Sequence, residues 1–147
     1  MFDRLLSALM RPDPAPLPQP DARLALAALL VRLARADENY TGPERARIDS
    51  ILATRYNLPA ADASALRAEA EVLEAEAPDT VRFTRALKDA VPHEDRMSLM
   101  EAMWSVALSD DDRDAREDAV IRITADLLGI NDRDRANARQ TVETKMK

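Results

Sequence analysis

From Asp21 onward the apolar positions recur at the three- and four-residue steps of amphipathic helices. The spacing predicts helices over 21–36, 42–56, 60–76, 79–91, 93–109, 114–128 and 132–145. In the first, Asp21 is the expected N-cap, and Leu24, Leu26, Ala27, Leu30, Val31 and Ala34 are expected in the core. The fifth is the most apolar, with Leu99, Met100, Met103, Trp104, Ala107 and Leu108 on one stripe. That stripe reads as core rather than a cofactor pocket, with Trp104 as its central wedge. Leu58-Pro59, Pro78-Asp79 and Val91-Pro92 act as stops and restarts.

Ahead of these helices, Phe2, Leu5, Leu6 and Leu9 share one face of a short amphipathic helix over 1–10. Residues 11–20 hold five of the nine prolines. Proline fixes φ and donates no backbone hydrogen bond, so this stretch is expected to be an extended linker. The expected organisation is a helix over 1–10, a Pro-rich linker over 11–20 and a helical domain over 21–147. The short helix either folds back onto the domain or anchors a partner or membrane surface.

Composition sharpens the fold class and removes functions. Of 147 residues, 46 % are apolar, 27 are Ala and only 2 are Gly, which points to an all-α chain. Without Cys there is no disulfide, thiolate nucleophile or cysteine-ligated metal, and a single His leaves no H-E-x-x-H zinc site. Two glycines make neither a P-loop nor a dinucleotide-binding turn. A net charge of −6 argues against nucleic acid, which calls for a basic footprint. No apolar stretch approaches the roughly 18 residues of a membrane span, and the first residues lack a signal-peptide core, so the expected location is cytoplasmic.

One motif occurs twice. Ala36-Asp37 leads through a polar loop to Glu44, and Ser109-Asp110 leads through another to Glu117, seven positions after the Asp in each case. Apolar residues resume at helical steps in both copies, with Ile48, Ile51 and Leu52 in one and Ile121, Ala125 and Leu128 in the other. The offset of about 73 residues predicts two similar helix-loop-helix halves related by a pseudo-twofold. Thr41-x-x-Glu44 and Asp114-x-x-Glu117 also read as helix-starting capping boxes. Asp37, Glu38, Asp110 and Asp111 sit at helix ends, where the macrodipole disfavours each negative charge by about 0.3–1 kcal/mol. Arg35, Arg45, Arg113 and Arg116 could offset that cost, as could a divalent cation held by carboxylate and carbonyl oxygens. The loops are not EF-hands. Position 12, which must be a bidentate Glu, is Ile48 in one and Ile121 in the other.

These junctions, Ala36-Asp37…Glu44 and Ala107-Leu108-Ser109-Asp110…Glu117, resemble the TerB family. That family includes the tellurite-resistance protein TerB and the N-terminal domain of certain DnaJ-type membrane co-chaperones. The likeness runs from about Ala22 to the C-terminus. Family members usually carry Ala-Asp-Gly at both junctions. Here Glu38 and Asp111 take the Gly positions, where φ is free to be positive, and Ser109 takes an Ala position. The resemblance implies a compact bundle of about seven helices in two similar halves. It also implies an acidic patch, proposed for the family to bind metal, which maps onto Asp37, Glu44, Asp110 and Glu117. No J-domain motif follows, so the expectation is the isolated domain.

The leading expectation is therefore a non-enzymatic module in metal or oxyanion stress, binding Ca²⁺ or Mg²⁺ at the paired junctions and serving a protein partner. The alternative is a protein-interaction scaffold whose acidic cluster is structural. An acid–base hydrolase would need a pocket around two carboxylates. His93 reads as a surface residue, and Glu69, Glu71, Glu74 and Glu76 as a solvated face. Arg133, Arg135, Arg139, Lys145 and Lys147 read as a solvated face or a surface for an acidic partner.

Overall fold

Side chains that take up the first free amides mark where several helices begin. The computed structural model describes residues 21–77, 79–109 and 115–146. Asp21 Oδ1 accepts from the Leu24 amide at 2.9 Å and opens α1, Ala22–Arg35. Thr41 opens α2, Gly42–Tyr56, and Pro59 precedes α3, Ala60–Glu76. Next come α4, Val81–Ala90, a 3₁₀ turn over His93–Asp95, and α5, Arg96–Ala107. Last are α6, Ala115–Leu127, and α7, Asp132–Lys145, capped where Asn131 Oδ1 accepts from the Asp134 amide at 2.8 Å. Among the described residues the architecture is all-α, a bundle of seven α-helices. The short helix and linker expected over 1–20 lie outside the described residues.

Helix α1 is the axis of the bundle. Every residue from Leu24 to Ala34 except Arg32 is buried, so the helix is covered all round rather than on one stripe. It packs against α2, α3, α4, α5 and α6. Each leucine so buried contributes about 1.5–3 kcal/mol relative to exposure. The element predicted over 93–109 starts its α-helical part only at Arg96, because Asp95 N–H turns back to the Pro92 carbonyl at 2.9 Å in the tighter 3₁₀ winding. Trp104 is not the centre of the core. It sits between α5 and α7, its Nε1 donating to the Arg135 carbonyl at 3.2 Å.

The duplication extends beyond helix-loop-helix to three helices per half, α1–α2–α3 and α5–α6–α7, joined through α4. Both middle helices end in a left-handed residue, Asn57 at φ 52° and Gly129 at φ 75°. The next amide then bonds five residues back, Leu58 to Ala53 at 3.0 Å and Ile130 to Ala125 at 2.8 Å. In both halves the first helix packs closely on the third.

Arginines close several of the helix ends, satisfying carbonyls that no longer have an intrahelical partner. Arg32 Nη2 donates to the carbonyls of Glu74 at 3.2 Å and Ala77 at 2.8 Å, while its guanidinium lies 5.3 Å from the Phe83 ring centroid. Arg96 reaches the carbonyls of Lys88, Val91 and Leu128, tying the ends of α4 and α6 together. Glu71 and Glu74 leave the solvated face expected for them. Because α3 lies against α1, Glu74 receives Arg32 at 3.1 Å and Arg35 at 2.8 Å, while Glu71 pairs within its own helix with Arg67, one turn earlier, at 2.9 Å. Glu69, Glu76 and His93 are exposed.

Candidate functional site

The first acidic elbow joins α1 to α2. Asp37 Oδ1 accepts from the Asn39 amide at 2.9 Å, forming an Asx turn. Glu38 has φ 64°, the left-handed region that disfavours residues with a Cβ. The resemblance drawn from the sequence implies Gly at this position. Left-handed backbone costs a non-glycine residue roughly 1–2 kcal/mol, partly offset by glycine's larger unfolded-state entropy. Glu38 is exposed, so Glu38→Gly removes little packing. The variant is expected to gain about 0.5–1 kcal/mol in urea unfolding.

Past that turn, Thr41 and Glu44 form a reciprocal capping box. Glu44 Oε1 accepts from the Thr41 amide at 2.9 Å and its hydroxyl at 3.1 Å, and the Glu44 amide donates to Thr41 Oγ1 at 3.2 Å. Unlike an ordinary capping glutamate, Glu44 is 0 % exposed. Its counterpart Glu117, in the first turn of α6, is 1 % exposed. The duplication thus places a buried carboxylate at the same point of each half.

Of the arginines expected to neutralise the first elbow, Arg35 reaches across to α3 and Arg45 holds a backbone carbonyl of the elbow itself. Arg35 Nη1 donates to the Glu71 carbonyl at 3.1 Å and to Glu74, and Arg45 Nη1 to the Tyr40 carbonyl at 2.9 Å. Both guanidiniums flank the Tyr40 ring, at 5.3 and 4.9 Å from its centroid. Burial, and then the Glu71 carboxylate, push the Tyr40 phenol above its ordinary range. Arg116, beside Glu117, does reach the first elbow: its Nη2 donates to the Asp37 carbonyl at 3.2 Å, across 79 positions of sequence. The start of α6 and the end of α1 are therefore neighbours.

Of the four residues singled out from sequence, Glu44 and Glu117 are buried at helix starts and Asp37 is half-buried in its turn. Asp110 lies outside the described residues. Among the described residues no group of three or more Asp, Glu, His or Cys side chains is arranged to hold a metal ion. The oxygen donors are of the hard type that Ca²⁺ and Mg²⁺ take. Glu44 Oε1 and Asp37 Oδ1, however, are already acceptors within their own turns. Two open hollows, of about 520 and 470 Å³, lie elsewhere, and neither is lined by Asp37, Glu44 or Glu117.

A duplicated all-helical bundle with a buried glutamate at the start of each middle helix is the class this fold defines. The family described as Tellurite resistance protein TerB matches residues 23–140, and the chain belongs to it. No curated protein and no solved structure matches the chain. Among the described residues no helix is long and apolar enough to cross a membrane.

Proposed function

We propose that this TerB-family domain is a non-enzymatic cytoplasmic module that binds a divalent cation, Ca²⁺ or Mg²⁺, where its two acidic elbows meet. It serves a protein partner in the response to metal or oxyanion stress. The observation that carries the reading is the bond from Arg116 to the Asp37 carbonyl, which brings the beginning of α6 to the first elbow. Asp37, Glu44, Asp110 and Glu117 are the proposed ligands. The cation supplies charge neutralisation at helix ends where the macrodipole disfavours carboxylates. A purely structural acidic cluster on an interaction scaffold is the second reading, favoured by the capping box that already engages Glu44.

Thermal melts and calorimetric titration with Ca²⁺, Mg²⁺ and Mn²⁺ decide between them. A ligand at a hundred times its Kd stabilises the folded state by about 2.7 kcal/mol. For a chain of this size that is a rise of roughly 5–10 °C in Tm. The rise is expected in the wild type and to be much reduced in Asp37→Asn. A melting temperature unmoved by millimolar metal leaves the scaffold reading alone.

A further inference from the structure

The two halves differ in charge where their second and third helices meet. In the first, Arg67 Nε donates to Asp49 Oδ1 at 2.6 Å and its Nη1 to Glu71 Oε2 at 2.9 Å. The Ser64 hydroxyl donates to Asp49 Oδ2 at 2.9 Å. Asp49 is thus the carboxylate that fastens α2 to α3. Counting from the matched turns at Asn57 and Gly129, Arg67 corresponds to Arg139 and Glu71 to Glu143. That pair is kept, with Arg139 Nε donating to Glu143 Oε1 at 2.5 Å. Counting from Glu44 and Glu117, Asp49 corresponds to Arg122, and from the turns Ser64 corresponds to Ala136. Asp49 and Ser64 therefore have no counterpart of their own kind in the second half, and a guanidinium stands in place of the bridging carboxylate. Arg135, where the first half has buried Ala63, adds another.

The second half leaves an open groove of about 470 Å³ at this seam, its lining including Trp104, Asp118, Arg122, Arg135, Ala136 and Arg139. Arg139 lies 5.3 Å from the Trp104 ring centroid, and Arg135 Nη1 is 3.2 Å from Asp132 Oδ1. Asp118, one turn before Arg122, is the carboxylate within that lining. A planar guanidinium offers paired donors that match a carboxylate, and an indole beside it offers apolar contact with a polar edge.

We propose that this groove binds an acidic peptide segment of a partner protein, one of whose carboxylates takes between Arg122 and Arg139 the place that Asp49 holds in the first half. The chain as a whole carries −6, so the attraction is local to the groove rather than a long-range field. The proposal is independent of the cation reading, since none of Asp37, Glu44 and Glu117 lines the groove.

Trp104 is the only tryptophan, so its fluorescence reports on the groove directly. The full chain is titrated with a blocked hexaglutamate peptide, with hexaglutamine and inorganic phosphate at equal ionic strength as comparisons. A saturable change is expected with hexaglutamate and none with hexaglutamine. Arg122→Asp installs the first half's carboxylate from within, and is expected to weaken hexaglutamate binding about tenfold or more while keeping the helical circular dichroism. Arg122→Ala, which removes the charge without adding an acid, is expected to fall between the two. The proposal is overturned by an unsaturable wild-type response up to about 10 mM peptide, by equal affinity in Arg122→Asp, or by phosphate reproducing the hexaglutamate response.

Discussion

Trp104→Ala is expected to cost about 3–5 kcal/mol of folding stability, enough to lower Tm by on the order of 10 °C. The indole is 5 % exposed and wedges α5 against α7, so truncation opens a void that neighbouring side chains fill only in part. Two further losses add to it: the bond from Nε1 to the Arg135 carbonyl at 3.2 Å, and the stacking of Arg139 over the ring. Trp104→Phe keeps an aromatic wedge but gives up the indole donor and some volume, and is expected to cost about 1–2 kcal/mol. Urea unfolding of the two variants measures both values. A loss below about 1 kcal/mol for the alanine variant would place the ring outside the packed seam.

Trp104 also shows how far the sequence could be read. Its helical register announced a buried aromatic, yet register gives the face of a helix and not which neighbour lies opposite. Hence the expected place at the centre, where α1 instead presents buried alanines, leucines and a valine all round. Helix limits were legible because Asp21, Thr41 and Pro59 act through their own nearby backbone. The roles of Arg32 and Arg96 were not, because each satisfies carbonyls of helices that only the tertiary fold brings near. Glu74 differs from its expected solvated setting for the same reason: a glutamate in an acidic run on one helix looks wet until the facing Arg32 and Arg35 are known. The duplication was visible in the spacing of Asp37 to Glu44 and Asp110 to Glu117. Its electrostatic asymmetry at Asp49 and Arg122 emerges only when the left-handed turns align the third helices as well. Of the acidic site, sequence supplied the residue types and their repeat, and the fold supplied the burial of Glu44 and Glu117.

That burial sets up a test separating the two readings of the acidic elbows. Glu44→Ala is expected to cost about 2–3 kcal/mol, from the lost capping box, the Thr41 amide left without its acceptor, and the space vacated in a fully buried position. Glu44→Gln retains an oxygen at Oε1 and is expected to recover the capping part of that loss, about 1 kcal/mol. The amide removes the negative charge a cation needs while keeping the hydrogen-bond acceptor the helix start needs. If the carboxylate is a ligand, Glu44→Gln loses most of the metal-induced rise in Tm. If its work is to start α2, the glutamine variant responds to metal as the wild type does. Measuring both variants with and without millimolar Ca²⁺ and Mg²⁺ keeps the folding cost and the binding cost apart. The same pair of substitutions at Glu117 asks whether the second half shares the task, and a cation bridging the elbows requires that both glutamines blunt the response.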